Sequence, residues 1–208
     1  MSLTPELRRM VFRAYFANKN TINGPITIEG KRKGTGEPFA KQFSNTDKNR
    51  VALLSASKTI NAEAYPVLYA LPLRFDGPGT LLTFLGLLGD HLKQELREIH
   101  VVKFAKGPSL RPSFNFLATS AYFLRCLRFE EDVTKESDVN KAVKAFWIEM
   151  QRFFETLANV MKNEKVIDHK SQVVDILDFG PKALYAKDMP YDEDEVEEFK
   201  EALRAKLK

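Results

Sequence analysis

The residues able to do covalent or metal chemistry are few in this chain and poorly spaced for it. The single thiol, Cys126, stands next to Arg125 and near Arg128. Two cations facing a thiol would lower its pKa and sharpen it as a nucleophile; a small buried hydrophobe is the favoured alternative. His91, His100 and His169 fall on a loop, a strand and a loop, without the short spacing of a metal site or a catalytic triad. Asp175 and Asp178 are close in sequence, but at opposite strand parity they point to different faces, which argues against a shared general acid and base. Lys33-Gly34-Thr35-Gly36 has the glycines of a phosphate cradle without the helix that should follow, so a turn is expected there. Gly-x-Gly-x-x-Gly, the phosphate loop, Gly-x-Ser-x-Gly and His-Glu-x-x-His are absent. The expectation is a non-enzyme with no cofactor and no metal, Cys126 and His100 being the only enzymatic candidates.

Charge says more. The net +4 of the 208 residues divides into 19 Lys+Arg against 9 Asp+Glu over residues 1–128, and 13 against 19 over residues 129–208. In the first 50 residues Arg8, Arg9, Arg13, Lys19, Lys31, Arg32, Lys33, Lys41, Lys48 and Arg50 stand against four acids, with Tyr15, Phe39 and Phe43 among them. Such a surface suits an acidic protein or a nucleic acid. No nucleic-acid-binding module is recognisable, so nucleic acid is the lesser expectation, and Arg8, Arg9, Arg13, Lys31, Arg32 and Lys33 are the candidate partner-binding residues.

The elements that must carry these residues follow from composition and period. With 44% hydrophobic and 29% charged residues the chain reads as a soluble globular domain rather than as disorder, collagen or coiled coil. A lone cysteine and no charged-then-apolar leader after Met1 point to an intracellular protein, cytoplasmic or nuclear. The longest apolar run, 80–89, is about half of the roughly 20 residues a bilayer demands, so no membrane span is expected. Thr4, Pro5 and Glu6 start a helix whose Leu7, Met10, Val11, Ala14 and Tyr15 form a face that should pack on something. A basic hairpin is expected over 20–45, with Ile26 and Ile28 on an edge strand turning through 31–36. A helix over 47–64 should stop before Pro66, and a strand over 71–76 should follow.

From there the chain alternates. Helices are predicted over 80–88, 113–124 and 141–161, and strands over 98–104, 125–130 and 173–179. Phe75, Phe104, Phe129 and Phe179 end the strands at intervals of 29, 25 and 50 residues, in or at twice the range of short helix-strand repeats, about 20 to 29 residues. Right-handed crossovers then give a small parallel sheet backed by helices, an α/β fold with a leucine-rich-repeat-like stack; an ordinary open α/β sheet is the alternative. Residues 190–208 place acids first and bases last around Val196, Phe199, Leu203 and Leu207, an amphipathic helix matched to its dipole. One domain, 1–208, divides into helices with the basic hairpin (1–70, hairpin 20–45), helix-strand repeats (71–187) and the terminal helix (188–208).

The stretch from Leu53 to Tyr69 resembles the central signature of a large fungal F-box-like family: a leucine pair, Leu53 and Leu54, then Ser57, Lys58, Ile60, Glu63, Ala64, Leu68, Tyr69 and the strand phenylalanine Phe75. The opening Leu3-Thr4-Pro5-Glu6-Leu7-Arg8 is similar to the family's Leu-Pro-Pro-Glu-Leu-Arg start, and 92–104 to its helix-to-strand passage. The resemblance covers about the first half of the chain. It implies F-box-like N-terminal helices leading into the repeat stack, with a packed core of Leu7, Leu53, Leu54, Ile60, Leu68 and Tyr69, a kink at Pro66, and Glu63 either hydrogen-bonded to nearby backbone or paired with Arg8 or Arg9. It also implies a protein partner, with a Skp-type adaptor as the specific possibility. The functional expectation is a non-enzymatic intracellular protein-protein interaction module of the fungal F-box-like type. The alternatives are a substrate adaptor of a Skp/cullin ubiquitin ligase and a nucleic-acid binder using the basic half; the oligomeric state is left open.

Overall fold

The computed structural model describes residues 3–16, 24–30, 51–121, 123–163, 169–186 and 189–207. In chain order the elements are α1 (Pro5–Phe16), β1 (Ile26–Ile28), a 3-10 turn (Ala52–Ser55), α2 (Lys58–Tyr69), β2 (Leu73–Phe75), α3 (Pro78–Leu87), α4 (Asp90–Lys93), β3 (Glu98–Lys103), α5 (Leu110–Ser120), β4 (Cys126–Thr134), α6 (Val139–Asn163), α7 (His169–Asp175), β5 (Leu177–Ala186), β6 (Met189–Pro190) and α8 (Glu193–Lys206). Strands β1 to β5 lie side by side in sequence order, all parallel, and β6 closes the far edge antiparallel to β5. The expected α/β class with a mostly parallel sheet is what the chain forms.

Sequential order with right-handed crossovers sends every connecting helix to the same face. Ring contacts agree: Phe75 meets Phe84 of α3, Phe129 meets Phe114 of α5 and Phe146 of α6, and Phe179 meets Phe199 of α8. The core is therefore one aromatic layer between the sheet and its helices. Its rows are fixed by register: Ile26, Leu73, Ile99, Leu127 and Leu177 in one, and Ile28, Phe75, Val101, Phe129 and Phe179 in the next. Val101, not Phe104, stands in the phenylalanine row, and Phe104 packs one step beyond it on Phe129. Where β5 passes β4, a Cβ on Gly180 would come within 3.2 Å of the Glu130 Cα and 3.3 Å of the Phe129 carbonyl oxygen, so a larger residue would have to push the two strands apart by a few tenths of an ångström.

Several elements differ from the period-based expectation. Helix α2 begins at Lys58, where Ser57 caps it by accepting a hydrogen bond from the Ile60 N–H at 3.2 Å, and it runs on through Pro66. The helix end expected before Pro66 is absent: Val67, Leu68 and Tyr69 are buried and hold the last turn in place, while Ala62, whose carbonyl loses its partner to the proline, is exposed. The segment 173–179, read as one strand, is the end of α7 followed by the start of β5. The β-branched pair Val173 and Val174 mimics a strand, but both are buried on a helix that packs against α6. The strand Ile26–Ile28 is an edge strand as expected, parallel to β2; the hairpin turn over 31–36 lies outside the described residues. Among the described residues no helix is long and apolar enough to cross a membrane.

Candidate functional site

Helix α1 starts as its sequence dictates. The Leu7 N–H donates to the Thr4 hydroxyl oxygen at 3.5 Å, and Pro5 takes the first helical position. The Glu6 carboxylate, hydrogen-bonded to backbone and to Thr4 with Arg9 and Arg8 close by, titrates below its ordinary value. The helix is fastened by its Phe12 and Phe16 side, both buried, and by Arg8, which donates through Nε and Nη2 to both Glu63 oxygens of α2 at 2.6 and 2.9 Å. Arg8 Nη1 also donates to the Leu3 carbonyl at 2.6 Å, tying the entering chain to the same junction.

The face that the helical period marks as apolar is turned outward. Leu3 is 51% exposed, Leu7 46%, Met10 65%, Val11 52% and Tyr15 41%, with Ala14 exposed among them. This corrects two expectations: among the described residues the face does not pack on the body of the chain, and Leu7, 46% exposed, is not part of a core with the signature residues. The physical reason is that a helix of 12 residues can bury only one side, and α1 packs on α2 through the side that carries Phe12 and Phe16. Of the other signature positions, Leu54, Leu68 and Tyr69 are buried, Leu53 and Ile60 are half-buried and packed on the core, and Pro66 is half-buried. Tyr69 burial and the neighbouring Tyr65 push its phenol pKa up.

Between α1 and α2 lies an open groove of about 550 Å³ whose walls are Val11, Phe12, Tyr15, Leu53 and Ile60, with the Arg8–Glu63 pair on its rim. A cleft of this size lined mainly by apolar side chains takes hydrophobic side chains of a partner rather than a charged metabolite. Arg9 and Arg13 stand exposed on the far flank of the helix. Lys31, Arg32 and Lys33 lie outside the described residues, so the structure brings together Arg8, Arg9 and Arg13 only.

The remaining candidates are occupied by structure. The Cys126 thiol pKa is pushed up to about 11, first by burial and then by the carboxylates of Glu98 and Asp178, against smaller opposing effects of Arg128 and Lys200, which goes against the activated-nucleophile alternative. Asp175 pairs with Arg204 at 2.8 Å and Asp178 with Arg128 at 2.7 Å, so the two carboxylates serve separate ion pairs. On the sheet face away from the helices, Arg74 reaches across β3 to grip Glu130 at 2.6 to 3.1 Å. His100 sits beneath, its Nε2 2.8 Å from Glu98 and its Nδ1 3.6 Å from Glu130. Arg74 holds the Glu130 carboxyl below the usual glutamate range, against a smaller opposing effect of burial. This lattice was missed in the sequence, although alternate positions Arg74, His100, Arg128 and Glu130 carried its signal. Its charges satisfy one another, and among the described residues no group of three or more His, Cys, Asp or Glu could hold a metal ion.

No family model, no curated protein and no solved structure matches this chain.

Proposed function

We propose that this chain is a non-enzymatic protein-protein interaction module of the fungal F-box-like type, which receives a partner on the outward face of α1 and in the groove beside α2. The observation that carries the reading is the exposed stripe of Leu3, Leu7, Met10 and Val11 on a helix pinned to the body from its other side. An apolar stripe left in water on a rigidly held helix is the form of a helix-docking surface. The one-sided parallel sheet behind it supports a leucine-rich-repeat-like stack as the scaffold.

A second reading, substrate adaptor of a Skp/cullin ubiquitin ligase, is favoured by one arrangement: the two helices bearing the F-box-like motifs, α1 and α2, pack together at the N-terminal end of the helix-strand stack. The two readings separate on size exclusion with a purified Skp-type adaptor. Co-elution that disappears in a Leu7→Asp, Met10→Asp variant supports the adaptor. If the Skp-type adaptor passes unbound while another fungal protein is captured by the wild type and lost by the variant, the general reading holds and the adaptor reading falls. Turnover of a small substrate, with no protein captured through α1, would overturn both.

A further inference from the structure

The outward stripe has a second order in it. On the helix Leu7, Met10 and Ala14 follow one another at gaps of three and four, the a–d–a alternation of a two-helix seam, with Leu3 four residues earlier in the stretch that enters α1, and all four are exposed. In that frame Glu6 and Arg13 both fall at g, one heptad apart and opposite in charge. Arg9 lies off the seam, and Arg8 is engaged by Glu63. We propose that α1 pairs with α1 of a second copy of this chain, antiparallel, about a two-fold axis near Met10.

The charge pattern selects that orientation. In an antiparallel pair g positions face g positions, so Glu6 of each copy meets Arg13 of the other, and the two-fold axis makes the contact twice. In a parallel pair g faces e, which sets Glu6 against Val11 and pairs nothing. Antiparallel packing also opposes the two helix dipoles favourably. Apolar residues in the centre with self-complementary charges at the flank are what an isologous contact requires.

Size sets the strength. A helix of 12 residues is about 18 Å long, and a seam of that length buries well under the roughly 1,600 Å² of a standard interface. The dimer is therefore weak and reversible, with a dissociation constant of tens to hundreds of micromolar, on the order of 10⁻⁵ to 10⁻⁴ M. It covers the face assigned above to a partner, so partner binding and self-association compete. The inference needs only the exposed seam and does not rest on the partner reading.

Sedimentation equilibrium of the full chain at low salt, from about 5 to 500 µM, tests it. The expected result is an average mass that climbs from 23.8 kDa toward twice that value, and a Met10→Glu variant that stays monomeric throughout. Glu6→Arg alone and Arg13→Glu alone each weaken association about tenfold, and the double variant returns to within about threefold of wild type. Unchanged melting temperatures show that the variants are folded. A wild-type monomer at every concentration, association that survives Met10→Glu, or a double variant no tighter than the singles overturns the proposal.

Discussion

Helices α1 and α6 carry the same kind of apolar period and the fold uses them in opposite ways. Along α6, Val143, Phe146, Met150, Phe153 and Leu157 are all buried, Phe146 against the sheet and α8 and Phe153 against α5. Along α1 the corresponding stripe faces water, and the helix is held by Phe12, Phe16 and one arginine instead. The difference comes from connectivity. Helix α6 joins β4 to β5 and must cross the sheet, whereas α1 precedes the first strand and is free to lie along α2 at the sheet's edge. Period identifies a face; position in the topology decides whether that face becomes core or surface.

The largest expected effect breaks the buried side of this comparison. Phe146, which meets the rings of Phe104, Phe129, Phe154, Phe179 and Phe199, ties α6 to β4, β5 and α8. Phe146→Ala should cost about 3 to 5 kcal/mol in urea unfolding. Next comes the element that α6 supports. Asp192 accepts from the Glu195 N–H at 2.9 Å and Glu195 accepts from the Asp192 N–H at 3.0 Å, a capping box at the start of α8. Asp192→Ala should lower stability by about 1 kcal/mol, read from the unfolding midpoint.

On the other side, the bidentate Arg8–Glu63 pair is about one-third exposed at each partner and therefore screened. Arg8→Met should cost about 0.5 to 1 kcal/mol overall. Its clearer signature is faster amide exchange confined to α1, which sharpens the claim that this pair, with two phenylalanines, is the fastening. The smallest of these effects is a pH dependence. Because Arg74 lowers the Glu130 pKa in the folded state, the pair's contribution is complete above the ordinary glutamate value of 4.5 and is lost as pH falls through the lowered one. Between those values wild type should lose stability with acid more steeply than Arg74→Met, by about 0.5 kcal/mol after allowing for solvent screening. Parallel pH profiles would remove the assigned role of Arg74.

The sheet was legible in the sequence because strands and helices alternate with their own periods, and the order of the longer elements from β2 to α8 followed from that, whereas the short α4 and β6 were not foreseen. The α7–β5 boundary was not, since Val173 and Val174 are equally at home in a strand and on the buried side of a short helix. Pro66 misled for a related reason: local chemistry ends a helix there, and burial of Val67, Leu68 and Tyr69 overrides it. At the site, a Glu63 pairing with Arg8 or Arg9 was one of the options offered by the motif resemblance, and the apolar stripe of α1 was visible at once. Its direction was invisible, because Phe12 and Phe16 form a competing stripe on the same 12 residues and only packing decides between them.

The stability of the Leu7→Asp, Met10→Asp double variant measures which way that stripe faces. With both side chains in water, its urea unfolding free energy at low protein concentration should match wild type within about 0.5 kcal/mol. A loss of about 3 kcal/mol or more would mean the two residues are core and α1 offers no docking face.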